Sequence, residues 1–198
     1  MSLIQHIRSL WKLSQAGEIA RRYFVTNGFD GALTMLGILL GFYTGGEVPL
    51  IVVISACLGA AIALGISGFT SALLSETEER KKELKELEES LVAPLEESDY
   101  GKASQIMPWV IAAVNGLSPF LISLFIILPL WLEDWGFILP FEMDPFDAAI
   151  GFAFLAILFL GIFLGRISGT FWLWSGLRAV LIGIVTAGII FLIGTNTR

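Results

Sequence analysis

A membrane-spanning helix that carries a single acid is predicted by the stretch Phe24-Val-Thr-Asn27-Gly-Phe-Asp30-Gly-Ala-Leu-Thr34-Met35-Leu-Gly-Ile-Leu-Leu-Gly41. A carboxylate inside such a span costs roughly 2.5–3.5 kcal/mol unless a partner compensates it, and it usually faces a bundle interior or a water-filled path. Asn27, Asp30 and Thr34 share one helical face. We therefore expect an ion or proton pathway along this face; a structural ion pair between helices is the alternative.

The composition is that of an integral membrane protein. Of the 198 residues, 56% are hydrophobic and 15% are charged, which is more apolar surface than a soluble core of this length can hide. A single Cys and a single His exclude an internal disulfide and a Cys/His zinc site. Any metal bound here is therefore held mainly by oxygen ligands, which favours Mg²⁺, Ca²⁺, Mn²⁺ or Fe²⁺.

Five apolar segments are long enough to span a membrane, and they predict an all-α fold. The segments cover 23–45, 48–74, 105–132, 147–167 and 171–194. They divide the chain into an interfacial amphipathic helix at 1–22, spans one and two at 23–74, a cytoplasmic Glu-rich helical segment at 75–104, and spans three to five at 105–198. Gly37, Gly41 and Gly45 recur every four residues on the first span, which predicts close helix packing there.

Basic residues predict the orientation of the chain. With the N-terminus inside, eleven of the twelve Lys and Arg residues lie on or near the inner side, and only Arg198 lies outside. The predicted outer loop at 133–147 holds five acids and no basic residue. Because cytoplasmic loops are enriched in Lys and Arg, we expect the N-terminus inside and the C-terminus outside. We also expect a multi-pass protein of the plasma membrane.

The polar segment after the second span predicts that this helix continues into the cytoplasm, since residues 75–91 are rich in helix formers and lack Gly and Pro. One face carries acids at helical spacing, namely Glu76, Glu79, Glu83 and Glu86. This stripe has two interpretations, a solvated Glu/Lys helix or a set of oxygen ligands that captures a divalent cation. A narrow apolar stripe on the same helix suits packing or pairing, and it consists of Leu84, Leu87 and Leu91.

Four motifs in this order resemble the vacuolar iron transporter family of Fe²⁺ and Mn²⁺ carriers. They are Asn27-Gly-Phe-Asp30-Gly, Ser75-Glu76-Thr-Glu78, Pro108 at the third span, and Ser175-Gly176-Leu-Arg178 at the fifth. The resemblance implies a homodimer with Asp30 on the path between subunits. It also implies that the Glu76–Glu86 stripe gathers metal ions and that protons drive export from the cytoplasm.

The chain departs from that family near the inner end of the second span. Family members typically carry a Met and a Glu there, whereas this chain reads Leu64-Gly-Ile66-Ser67-Gly68-Phe69-Thr70-Ser71. Met35, five residues after Asp30, is a candidate thioether ligand, although helix packing is the favoured explanation of it. The departure leaves the identity of the carried ion open.

Arg178 supports a rival interpretation of Asp30. Both residues lie about seven residues into their spans from the same side, so they could form a structural pair or an exchangeable one along the pathway. In the rival interpretation the protein is a non-transporting membrane scaffold that binds a partner through the Leu84, Leu87 and Leu91 stripe. The sequence lacks a nucleophile constellation, a phosphate-binding motif and a nucleic-acid-binding stretch, so we expect no enzyme, no prosthetic group and no nucleic-acid partner, but contact with membrane lipid.

Overall fold

The computed structural model describes residues 16–137 and 143–196, and this part of the chain folds into helices without a strand. Each of the five helices is long and apolar enough to cross a membrane. Their bounds are Ala16–Gly45 for α1, Leu50–Leu91 for α2, Asp99–Asp134 for α3, Pro145–Ile167 for α4 and Trp172–Asn196 for α5. The prediction of an all-α membrane protein with five spans is therefore confirmed.

The α2 helix continues well past its apolar part, as the sequence predicts. Its 42 residues correspond to about 63 Å of helix, roughly twice the thickness of a bilayer core. We call residues 75–91 the polar extension. The extension ends where Val92 adopts a left-handed conformation and its N–H donates to the Glu88 carbonyl.

Two helices extend beyond the apolar segments that the sequence defines. The α3 helix begins at Asp99 rather than at 105, because the Ser98 hydroxyl accepts a hydrogen bond from the Gly101 N–H at 3.1 Å and caps it. The segment 75–104 is thus a helical hairpin shared by α2 and α3. At the other end, residues 16–22 belong to α1, since no breaker separates them from the first span. The remainder of the predicted amphipathic helix, 1–15, lies outside the described residues.

The α1 helix lies at the centre of the bundle and contacts the four other helices. On one side α2 packs along α3, and on the other α4 packs along α5. The core between them is built from fully buried side chains of α1 to α4, including Met35, Leu36, Leu39, Ile54, Ile126, Ile127, Leu130 and Ile157. This arrangement buries one face of α1 against α3 and leaves another beside α4.

The basic residues of the described chain gather at one end of the bundle, together with most of its acids. The start of α1, the polar extension and the starts of α3 and α5 meet the end of α4 at what we call the basic end. It carries every basic residue of the described chain, which are Arg21, Arg22, Arg80, Lys81, Lys82, Lys85, Lys102, Arg166 and Arg178. Within the described ranges the opposite end carries acids alone, which are Glu47, Glu133, Asp134, Asp144 and Asp147.

Candidate ion-binding site

Asp30 has an exposed side chain at the edge of a depression between α1 and the end of α4. The depression has a volume of about 470 Å³. Its other lining residues are Glu18, Arg21, Arg22, Val25, Thr26, Phe29, Leu164 and Ile167. The five ion pairs formed within the described part of the chain all lie on α2, so none of them involves Asp30. The carboxylate is therefore accessible and lacks a counter-ion among these residues.

Two glycines fix where Asp30 lies along the bundle, because they bring α1 against α3. A Cβ atom on Gly31 would lie 2.8 Å from the Pro119 Cα, and one on Gly28 would lie 3.1 Å from the Ser118 Oγ. Only glycine permits such an approach of two helices. Asp30 therefore lies within the apolar run of α1, beside Pro119 of α3 and toward the end of the bundle where α4 ends.

Asn27, one turn before Asp30, belongs to a different environment. Its side-chain amide donates to the Asn115 carbonyl oxygen on α3 and to the Tyr23 backbone carbonyl, the latter at 3.3 Å. The Asn115 amide in turn donates to the Gly68 carbonyl on α2 at 2.6 Å. Asn115 is only 3% exposed. This network joins three helices and satisfies its own polar groups, so Asn27 has a structural role here.

The predicted pathway face of α1 is therefore divided. Thr34 is half-buried, and Met35 is fully buried in the apolar core. The packing of α1 against α3 turns Met35 away from the depression that Asp30 borders. The structure does not bring the thioether to the carboxylate, and it brings none of Asn27, Thr34 or Met35 into the lining of the depression.

The acidic stripe on the polar extension is also divided. Glu76 is 3% exposed; its carboxylate lies 3.8 Å from the Arg80 guanidinium and accepts a hydrogen bond from the Tyr23 hydroxyl at 3.2 Å. Arg80 also pairs with Glu83 at 2.8 Å. A buried carboxylate needs such a counter-ion, so this cluster attaches the extension to α1. No group of three or more acidic, His or Cys side chains in the described residues is arranged to hold a metal.

The other two residues of the stripe, Glu79 and Glu86, face solvent. Glu79 is exposed and forms no ion pair within the described chain, while Glu86 pairs with Lys82 at 3.7 Å. Pairs between exposed side chains of this kind contribute little to stability and exchange readily. Glu79 and Glu86 are therefore the stripe residues that remain free to attract a cation.

Arg178 does not pair with Asp30. Its guanidinium carbon lies 5.3 Å from the centre of the Trp174 ring on the same helix, and its side chain is exposed. The Asp30–Arg178 pair on which the scaffold interpretation depends is absent from the structure. The cation–π contact explains why Arg178 tolerates its position near the start of α5 without a carboxylate.

Three residues that build this region were not among the predicted site residues. Tyr23 and Ser118 make contacts between helices, with the Ser118 hydroxyl donating to the Phe24 carbonyl at 2.5 Å, and Arg80 pairs with Glu76 on its own helix. Arg80 follows Glu76 by one helical turn, which is a signal for an ion pair. Its burial, and the pairing of Tyr23 with Glu76 over 53 residues of sequence, depend on tertiary packing that the pattern alone does not give.

These features define the class of the molecule as a multi-pass helical membrane protein. The chain is 30% identical over 183 residues to the uncharacterized protein MJ0645 of Methanocaldococcus jannaschii, a match that covers 89% of this chain and 90% of the relative. The chain belongs to the same family as that archaeal protein. No protein-family model and no solved structure matches it.

Proposed function

We propose that the chain carries a divalent metal ion, Fe²⁺ or Mn²⁺, across the membrane from the cytoplasm outward, in exchange for protons. The observation that carries this proposal is Asp30, a carboxylate within the apolar run of α1 that is exposed and forms no ion pair in the described chain, although Arg21 and Arg22 line the same depression. Charged groups within such a run are costly and usually serve an ion pathway. The resemblance of the surrounding Asn27–Gly31 motif to Fe²⁺ and Mn²⁺ carriers supports the choice of ion.

The proposal includes a homodimer, because one carboxylate cannot complete a metal site. Hard divalent cations take six or more oxygen ligands, and a carboxylate supplies two at most. A second copy that faces this surface of α1 would add its own Asp30. Two facing carboxylates repel unless a cation or a proton neutralises them, which gives a physical basis for exchange between metal and proton.

The polar extension has a supporting role in this proposal. Glu76 and Glu83 both pair with Arg80, and Glu76 attaches the extension to α1 through the Tyr23 hydroxyl. Glu79 and Glu86 are exposed, and they raise the local concentration of cations at the basic end without forming a fixed site. The absence of basic residues from the described part of the opposite end supports placing the basic end in the cytoplasm. We also propose the plasma membrane as the location of the protein.

Flux into proteoliposomes under an imposed pH gradient tests the proposal. We expect Fe²⁺ or Mn²⁺ flux in the native protein and at least a tenfold loss in the Asp30→Asn variant. The matched control is Asp134→Asn, which removes an exposed carboxylate from the acidic end and should keep native flux. Absence of flux for both ions in well-folded native protein would refute the proposal.

A second candidate function is a membrane scaffold that binds a partner at the tip of the polar extension. It is favoured by the exposure of Leu91 at 58% and Val92 at 91%, in a region that faces away from the bundle. If this function holds, Leu91→Ser abolishes co-purification of a partner, and Asp30→Asn leaves it unchanged. The two candidates are thus distinguished by which variant has an effect.

A further inference from the structure

A long groove on the outside of the bundle lies between α3 and α4, with α1 at its floor. Its volume is about 530 Å³. The α4 wall runs from Arg166 through Phe163 and Phe159 to Ala156, and the α3 wall runs from Ser118 to Phe125. The ten helical steps from Ala156 to Arg166 span about 15 Å along the helix, which is half of a bilayer core of about 30 Å.

The walls of the groove are apolar and supported by aromatic contacts. The Phe24 and Phe163 rings meet edge to face at 5.9 Å between centres, and Phe125 lies 4.9 Å from Phe152. Ser118 contributes the one hydroxyl of the lining, and that hydroxyl already donates to the Phe24 carbonyl. The groove therefore offers no free polar group along its length, and it suits a hydrocarbon chain.

Arg166 supplies a positive charge at one end of the groove. It lies in the last turn of α4, is exposed, and forms no ion pair with another residue of the described chain. Its guanidinium carbon lies 5.9 Å from the centre of the Trp172 ring. A Trp beside an Arg where the apolar helices end is typical of the level of lipid headgroups.

We propose that this groove binds an anionic phospholipid, with an acyl chain between α3 and α4 and the phosphate at Arg166. Charge complementarity favours this occupant over a second copy of the chain. Arg166 is the one charged residue of the groove lining, so a second copy docked here in the same orientation would bring its own Arg166 toward this one, positive charge to positive charge. The site does not depend on the proposed metal transport.

Native mass spectrometry of the purified protein with added phosphatidylglycerol or phosphatidylcholine tests this site. We expect the native protein to bind phosphatidylglycerol at least fivefold more tightly. Arg166→Gln should lose about fivefold in affinity for phosphatidylglycerol, the loss that corresponds to one interfacial charge. It should lose much less for phosphatidylcholine, because the choline cation offsets the phosphate charge. The matched control is Arg178→Gln, which removes an arginine that also lies over a tryptophan ring but does not line the groove.

Leu121→Trp tests the position of the acyl chain. Leu121 lines the groove and is 54% exposed, so a larger side chain there fills the groove without entering the core. We expect this variant to lose both lipids. Equal binding of the two lipids by the native protein would overturn the proposal, and so would unchanged phosphatidylglycerol binding in Arg166→Gln. Unchanged binding in Arg166→Gln would mean that the bound phosphatidylglycerol belongs to the non-specific lipid layer that surrounds any membrane helix.

Discussion

Asn27 and Asp30 lie one turn apart on α1, and the structure gives them opposite environments. Asn27 belongs to a closed network with Asn115 and the Gly68 carbonyl, in which each amide has partners. Asp30 borders an open depression and has no ion pair in the described chain. A polar residue in a span is therefore structural when helix packing supplies its hydrogen-bond partners, and it is available for binding when packing supplies none.

The largest effect on stability should come from a second group of satisfied polar side chains, the Arg80–Glu76 pair. We expect Arg80→Gln to lower the free energy of unfolding by about 3–5 kcal/mol, because it leaves the Glu76 carboxylate buried without a counter-ion. Chemical denaturation in detergent measures this. The double variant Arg80→Gln/Glu76→Gln should recover most of the loss, whereas Lys82→Gln should stay within about 0.5 kcal/mol. A loss below 1 kcal/mol in Arg80→Gln would contradict the structural role of the cluster.

A smaller effect should follow from separating α1 from α3 beside Asp30. Gly31→Ala places a Cβ atom 2.8 Å from the Pro119 backbone, and the resulting strain should cost about 1–3 kcal/mol of unfolding free energy. The matched control is Gly41→Ala on the same helix, because no atom lies within 4 Å of its added Cβ. Melting temperatures in one detergent compare the two variants. Equal melting temperatures would mean that α1 does not approach α3 at Gly31.

The Asn27–Asn115 bond should give an effect of about 1–2 kcal/mol for each single Ala variant, since removing one amide leaves the other without its partner. A double-mutant cycle measures the coupling directly. We expect the double variant to cost less than the sum of the two single variants by about 1 kcal/mol. Strict additivity would argue against the bond between α1 and α3.

The smallest effect on stability should come from the open side. Asp30→Asn should change the free energy of unfolding by no more than about 0.5 kcal/mol, or raise it slightly, because the carboxylate has no counter-ion in the described chain to lose. The same denaturation measurement applies. A loss of 2 kcal/mol or more in the free energy of unfolding would show that Asp30 is held by a structural partner. Asp30 would then be a structural residue, as Asn27 is.

The sequence predicted the helices well, because apolar runs of about 20 residues are a strong signal. The polar extension followed from a stretch of helix formers without Gly or Pro, and the structure confirms one continuous helix through Leu91. Boundaries were less accurate where a side chain decides them, as at the Ser98 cap. The pattern of apolar residues carries no information about such local hydrogen bonds.

The candidate site was only partly predictable. Asp30 was visible as an acid within an apolar run, and Met35, five residues later, points about 140° away from it on the helix, but which of these faces is buried depends on how α1 meets α3. The predicted glycine stripe illustrates the same limit. No atom lies within 4 Å of a Cβ added to Gly41 or Gly45, whereas Gly28 and Gly31 make the close contact with α3. The point at which two helices approach depends on the partner helix as well as on the small residues.

Equilibrium binding of Mn²⁺ tests the central claim most directly, namely that Asp30 is the available carboxylate while the Asn27 network is structural. Electron paramagnetic resonance of free Mn²⁺ measures binding to native protein, Asp30→Asn and Asn115→Ala in one detergent. We predict that Asp30→Asn melts like the native protein but binds Mn²⁺ at least tenfold more weakly, and that Asn115→Ala melts lower but still binds the ion when folded. Undiminished Mn²⁺ binding in folded Asp30→Asn would contradict the account.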